Sequence, residues 1–205
     1  MQYVFDAFPD FWDPQQQGLE RVVLLVLPDA TARLNALRSG EVDAASADFM
    51  DAAALQSEGF TLLTNDAFYL ALHILDREGT IIPEFADERV RLAISYAIDR
   101  QTFVDIVHAG FGEPMTQRFL PGQYGYADDL VDLNYNPERA RELLAEAGVE
   151  TLEFTLPMAG ALESEFQALA GFLQEVGITM HIEPIAPGTL IQEVTAGQWE
   201  AALLP

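Results

Sequence analysis

The side chains here that could do chemistry are three histidines, thirty-three acids and one aromatic-rich loop. His73, His108 and His181 stand far apart in sequence, and no two are four residues apart. A histidine metal site would have to be assembled entirely by the fold. His108 falls at the C-terminal end of a predicted helix, where the dipole favours positive charge. His181 alternates within a predicted strand and is expected on its solvent side. His73 lies in the apolar run 69–74 and reads either as a ligand contact or as an ordinary satisfied polar residue. Asp128, Asp129, Asp132 and Asn134 suggest a calcium loop by composition, but the spacing is not that of the EF-hand and no closing Glu is in register. Among so many acids no catalytic carboxylate pair stands out. Phe111, Phe119, Tyr124 and Tyr126 read either as a loop pinned by its own rings or as the wall of a ligand cleft. The nucleophile elbow, the phosphate-binding loop, the H-E-x-x-H helix and the G-x-G-x-x-G turn are all missing, so no cofactor and no metal is implied. With no Cys there is no thiol nucleophile, disulfide or zinc knuckle.

Pattern and punctuation predict the elements that must position these residues. An unbroken apolar run predicts a strand over 19–27, of the kind buried on both faces. Asp29 caps a helix over 30–38 that closes at Gly40. A short strand is predicted over 42–45, and Asp48 caps a helix to about residue 57. Strands follow over 60–64 and 67–75. The polar connector 76–86 is the expected domain boundary. Asp87 then caps a helix over 88–98, with Val90, Ala93, Ile94 and Ala97 on one face. Asp99 caps another over 100–109. Residues 110–136 carry four Gly and two Pro with no regular period, and irregular segments of that length are usually functional. Asn136-Pro137 starts a helix that Gly148 ends. The rest alternates: strand 151–156, helix 162–176, strand 178–183, helix 189–195, strand 199–204. The order is that of an α/β layer fold. The run from Pro28 through Gly40 to Ala45 is echoed by Pro184 through Gly197 to Ala202: strand, Pro, helix, small-Gly-x-x-acid-Ala-Ala.

Charge narrows the function classes. The 205 residues carry a formal net charge of −23, and all ten bases are Arg. Dispersed arginines in so acidic a chain argue against gripping a nucleic-acid backbone. No apolar run approaches the ~18 residues of a membrane-spanning helix. The acidity reads either as the solvated surface of a salt-adapted protein or as an acidic pocket for cations. Met1 is followed by neither a basic nor an apolar segment of the secretory kind.

Four segments, taken in order, resemble one family. They run from Phe8 through Trp12 to Asp13, from Val26 through Pro28, Gly40 and Glu41 to Asp43, from Phe85 through Asp87, Arg89 and Tyr96 to Arg100, and from Tyr135 through Asn136, Pro137 and Glu146 to Gly148. Each is a generic capped helix or turn, but the ordered set is similar to the extracytoplasmic solute-binding proteins of peptide- and nickel-type ABC importers (family 5). The resemblance implies a two-lobed, periplasmic-binding-protein-like type II α/β fold, here partial: 1–75 as part of lobe I with a hinge-crossing strand, and 76–205 as an incomplete lobe II. It implies a receptor, not an enzyme, with an oligopeptide or similar small solute and the permease subunits of the transporter as partners, in an extracytoplasmic location. A standalone α/β hydrolytic enzyme and a ligand-sensing regulatory domain are the alternatives. By position in the family pattern, the ligand-binding candidates are Tyr69, His73, Thr116, Gln117, Arg118 and Met158. His73 stands where family members often carry Asn, so that contact is expected to differ. The family's aromatic after the Glu183 strand is replaced by Ala186-Pro187, and its Gly-Trp and following Asp, which receives a peptide α-amine, are not present. No residue here specifically supports peptide recognition. The chain alone is expected to be poorly stable, because the first ~75 residues lack sheet partners.

Overall fold

The computed structural model describes residues 1–13, 15, 18–64, 69–119, 121–130, 133–160, 162–186 and 188–204. Ala67 and Phe68 of the predicted strand, Asp132 of the acidic cluster, Ala161, Pro187 and Pro205 lie outside the described residues. By its contacts the chain divides into two units, 1–61 and 62–205.

In the first unit, β1 (Gln2–Asp6) pairs antiparallel with β2 (Arg21–Leu25), Gln2 opposite Leu25 and Asp6 opposite Arg21. The Arg21 guanidinium lies 2.5 Å from the Asp6 carboxylate. Strand β1 was not foreseen, because its five residues alternate too weakly to signal a strand without the partner. Strand β2 is not buried on both faces as expected: every residue of both strands is exposed. Among the described residues the sheet has two strands, and no layer covers either face. Helices α1 (Ala30–Ser39) and α2 (Phe49–Ser57) follow as predicted. Asp29 caps α1 by accepting the Ala32 N–H, whereas the Asp48 side chain caps nothing. Residues 42–45 and 60–64 form no strand. A strand exists only through its neighbour, and among the described residues none lies alongside these.

The second unit holds the core. Strands β4 (Leu152–Met158) and β5 (Ile178–Pro184) are parallel and in register, joined through α6 (Glu163–Glu175) as a βαβ crossover. Leu152, Phe154 and Leu156 alternate inward with Ile178 and Met180. They meet Val90, Ala93 and Ile94 of α3 (Glu88–Ala97), Ala140 and Leu143 of α5 (Pro137–Glu146), and Phe166, Leu169 and Leu173 of α6. Phe85, in a short 3-10 turn, is fully buried edge-on to Phe154, with ring centroids 5.4 Å apart. Helices α4 (Arg100–Val107) and α7 (Leu190–Thr195) complete the helical set. Strand β3 (Ala71–Ile74) pairs antiparallel with β6 (Ala201–Leu204), at the far end of the sequence, with His73 opposite Ala202.

The sequence echo is real at the helix ends. Gly40 and Gly197 both take the left-handed conformation, with φ of 74° and 69°. In each case the Gly N–H donates three residues back and the next N–H five residues back. The following strand forms only in the second copy, where β3 is present to receive it.

Candidate functional site

Asp76 organises the chain just after β3. Asp-x-x-Gly is a turn signal, and the Gly79 N–H donates to the Asp76 carbonyl at 3.1 Å. The Asp76 side chain, 7% exposed, accepts from the Thr80 N–H and hydroxyl on one oxygen and from the Ile81 and Ile82 N–H groups on the other, each at 2.7 Å. Burial pushes this carboxyl upward, but those hydrogen bonds outweigh it and hold it at about 2. Gly79 has φ of 67°, and a Cβ there would stand 2.8 Å from the Pro83 carbonyl oxygen. Glu200, also buried, ties the same region together. Its carbonyl accepts from the Leu75 and Asp76 N–H groups, and its carboxylate accepts the Thr155 N–H at 2.6 Å. The start of the polar connector is thus a fixed corner. The Asp-x-x-Gly-Thr spelling was the available signal for Asp76. Glu200 is the acid of the echoed small-Gly-x-x-acid-Ala-Ala run, but nothing local marked it as buried.

Among the described residues, 110–136 contain neither helix nor strand. The C-terminal end of this loop is nevertheless held. The Arg100 guanidinium reaches the Leu133 carbonyl along with those of Ser95 and Ile98, and the Asn136 N–H donates to the Tyr96 carbonyl. Inside the loop, the Gln117 side-chain amide donates to the Ala127 carbonyl and its oxygen accepts the Ala127 N–H. Phe119 lies on Gly125, whose φ is 100° and where a Cβ would sit 2.8 Å from the ring. The rings therefore play two parts. Phe119 pins the loop, while Tyr124 is fully exposed and Tyr126 lines a concavity of about 170 Å³ with Met115 and Thr116.

Of the six sequence-predicted site residues, Tyr69 and Arg118 are brought into contact. The guanidinium carbon lies 5.2 Å from the centre of the Tyr69 ring, a cation–π arrangement. Tyr69 is half-buried two residues before β3, and Arg118 is exposed. His73, four residues beyond Tyr69, has a buried Nε2 with no hydrogen-bond partner among the described residues. The Gln117 side chain is engaged by Ala127, directly beside Arg118. Thr116 lines the concavity just described. Met158 ends β4, half-buried against the core, and its carbonyl accepts the Ile185 N–H. No hydrogen bond links His73, Thr116 or Met158 to the Tyr69–Arg118 pair among the described residues. A larger concavity, about 530 Å³, lies among Arg141, Gly148, Leu152 and Gly177, at the N-terminal ends of β4 and β5. Ligands of open parallel sheets gather at the opposite, C-terminal ends, where Met158 stands.

The other two histidines are accounted for by structure. His108 ends α4 and lies 3.5 Å from Glu165 in the first turn of α6. His181 is exposed on β5, 3.4 Å from Glu153. Among the described residues no group of three or more His, Asp or Glu could hold a metal ion. No helix among them is long and apolar enough to cross a membrane.

Comparison with known proteins places this architecture. The family model described as bacterial extracellular solute-binding proteins, family 5 Middle, matches residues 2–204. Di/tripeptide-binding protein 1 of Pseudomonas aeruginosa is 27% identical over 213 residues, covering 98% of this chain and 38% of that protein. Heme-binding protein A of Haemophilus influenzae is 31% identical over 150 residues, covering 72% of this chain and 26% of its own length. Among solved structures, the periplasmic binding protein DppA of Helicobacter pylori, in complex with the peptide STSA, superposes with a TM-score of 0.77 at 24% identity over 99% of this chain and 40% of that one. NikA of Brucella suis, in complex with Fe(III)-EDTA, superposes with a TM-score of 0.79 at 19% identity over 98% of this chain and 44% of that one. The chain thus has part of a two-lobed periplasmic-binding-protein fold and spans about two fifths of the length of such relatives.

Proposed function

Because this chain belongs to the bacterial extracellular solute-binding proteins of family 5, we propose that it is part of the substrate-binding component of an ABC importer. In this reading the intact protein captures a short peptide or similar small solute between two lobes, outside the cytoplasm, and presents it to the permease subunits. No catalytic step is involved. Residues 1–75 are read as part of lobe I with the hinge-crossing strand, and 76–205 as most of lobe II. Relatives named for di- and tripeptides, glutathione and heme support a small organic solute.

The observation that carries this reading is the meeting of Tyr69 and Arg118. A ring at the head of β3 and a guanidinium from the irregular 110–136 loop come together, and both were singled out by position in the family pattern. Asp76 and Glu200 fix β3, while Arg100 and Gln117 fix the loop. Beside Arg118 on the same loop, Thr116 and Gln117 line a concavity of about 170 Å³, less than the ~300–1,000 Å³ of a complete small-molecule site, as a site completed by a second lobe would be. Closure on the solute would shift a hinge equilibrium by the solute's differential affinity for the closed form.

The test is small-angle scattering on the intact protein with a panel of di- and tripeptides, glutathione and heme. A fall in radius of gyration with at least one solute is expected. An unchanged radius across the panel, together with no binding heat, would refute the receptor reading.

A further inference from the structure

We infer that Arg118, laid over the Tyr69 ring, receives a carboxylate of the captured solute, so that the ligand class is an acid-bearing small molecule. The inference rests on the receptor reading above. The chain has ten arginines among thirty-three acids, and nearly every arginine is satisfied. Arg21, Arg38, Arg89, Arg139 and Arg141 pair with carboxylates. Arg33, Arg91 and Arg100 donate to backbone carbonyls. Among the described residues Arg118 has neither kind of partner. Arg77 shares that lack but stands on an exposed turn with no aromatic face beneath it.

Stacking uses the face of the guanidinium and leaves the N–H groups at its edge. Those donors form a planar fork that matches the two oxygens of a carboxylate. The segments that carry the pair are also braced. Gln117, its neighbour, is bonded twice to Ala127, and Tyr69 is half-buried at the head of β3. Donors fixed in advance lose less freedom on binding. Nearby on the same segment, the buried Nε2 of His73 is a second polar atom without a partner among the described residues. In so acidic a chain, an arginine over an aromatic ring that meets neither an acid nor a carbonyl among the described residues stands apart, and an acid brought by the solute would satisfy it.

The test uses the intact protein and matched probes: trialanine, alanyl-alanine and glutarate, each against its C-terminal amide or diamide, with affinities from calorimetry. The acids are expected to bind the wild-type protein at least ~10-fold more tightly than their amides. Arg118→Gln should weaken the acids about 10- to 100-fold, the range of a charge-assisted hydrogen bond, and leave the amides within about two-fold. Arg118→Lys keeps the charge but loses the fork and should retain part of the preference. Tyr69→Leu should lose affinity for acids while Tyr69→Phe keeps it. Unchanged circular dichroism and melting temperature establish that each variant is folded. Equal binding of acids and amides, or equal loss of both in Arg118→Gln, overturns the carboxylate assignment and leaves the receptor reading standing. Binding of no probe, with no change in radius of gyration on the wider solute panel, overturns both.

Discussion

At the scale of single residues, Asp76 has the most direct physical consequence. Four hydrogen bonds converge on its carboxylate and hold it at about 2, against an ordinary 3.8. A depressed carboxylate stabilises the folded state fully above its unfolded value, and that contribution is lost as pH falls through the window between the two. Asp87, held at about 2 by the Arg89 guanidinium and N–H, adds to the same window. The melting temperature of the wild-type protein should therefore drop as pH falls from about 5 towards 2. Asp76→Asn should melt several degrees lower at neutral pH and show a shallower acid dependence. Identical pH profiles for the two proteins would show that this cluster contributes nothing. Residue chemistry was legible here only where a local spelling carried it. Asp29, Asp87, Asp99 and Asn136 read as helix caps, and each side chain accepts the N–H that a cap should. The Tyr69–Arg118 contact could not be read from spacing, since it joins two distant segments, and only position in a family pattern drew attention to both residues. Nothing in the sequence distinguished Gln117, which braces the loop through Ala127, from an amide free to meet a ligand.

At the scale of elements, the core of the second unit rests on β4. Its inward residues Leu152, Phe154 and Leu156 are each at most 2% exposed, and Phe154 meets Phe85 edge-on. Phe154→Ala should cost about 3–5 kcal/mol, the sum of lost burial and a residual cavity. Denaturant melts of the intact protein would check this, and a loss below about 1 kcal/mol would mean that the site collapses around the cavity. Helices were legible because a cap, an apolar stripe and a terminal glycine are all local signals. Strands were legible only in part, since a strand is a relation between two segments. The apolar 19–27 run forms a strand over Arg21–Leu25 but has no layer on either face among the described residues. Residues 42–45 have the right side chains but no neighbour among those described. Gln2–Asp6 pairs although its own pattern was silent.

At the scale of the whole molecule, thirty-three acids without a lysine bear on stability more directly than on ligand choice. A net charge of −23 repels itself in the folded state, and salt screens that repulsion over about 10 Å at 0.1 M and about 3 Å at 1 M. The melting temperature of the intact protein should rise as sodium chloride is raised from about 0.1 M to about 1 M. A flat or falling response would show that the acids are spaced too widely to matter. The overall α/β order was legible from the alternation of strand and helix signals, and the family pattern supplied the two-lobed reading. The way the second unit closes on itself was not legible, because it depends on pairings between distant segments. The β3–β6 ladder sets a timetable for assembly. Ala71 meets Leu204 at the opposite end of its unit, so this seam cannot zip until nearly the whole unit has left the ribosome. The α3–α5 contact and the β4–α6–β5 crossover join nearer segments and bear a smaller loop-closure cost. The segment carrying Tyr69 and His73 is then among the last to be locked in place, so this strand matures only after the scaffold beneath it has formed.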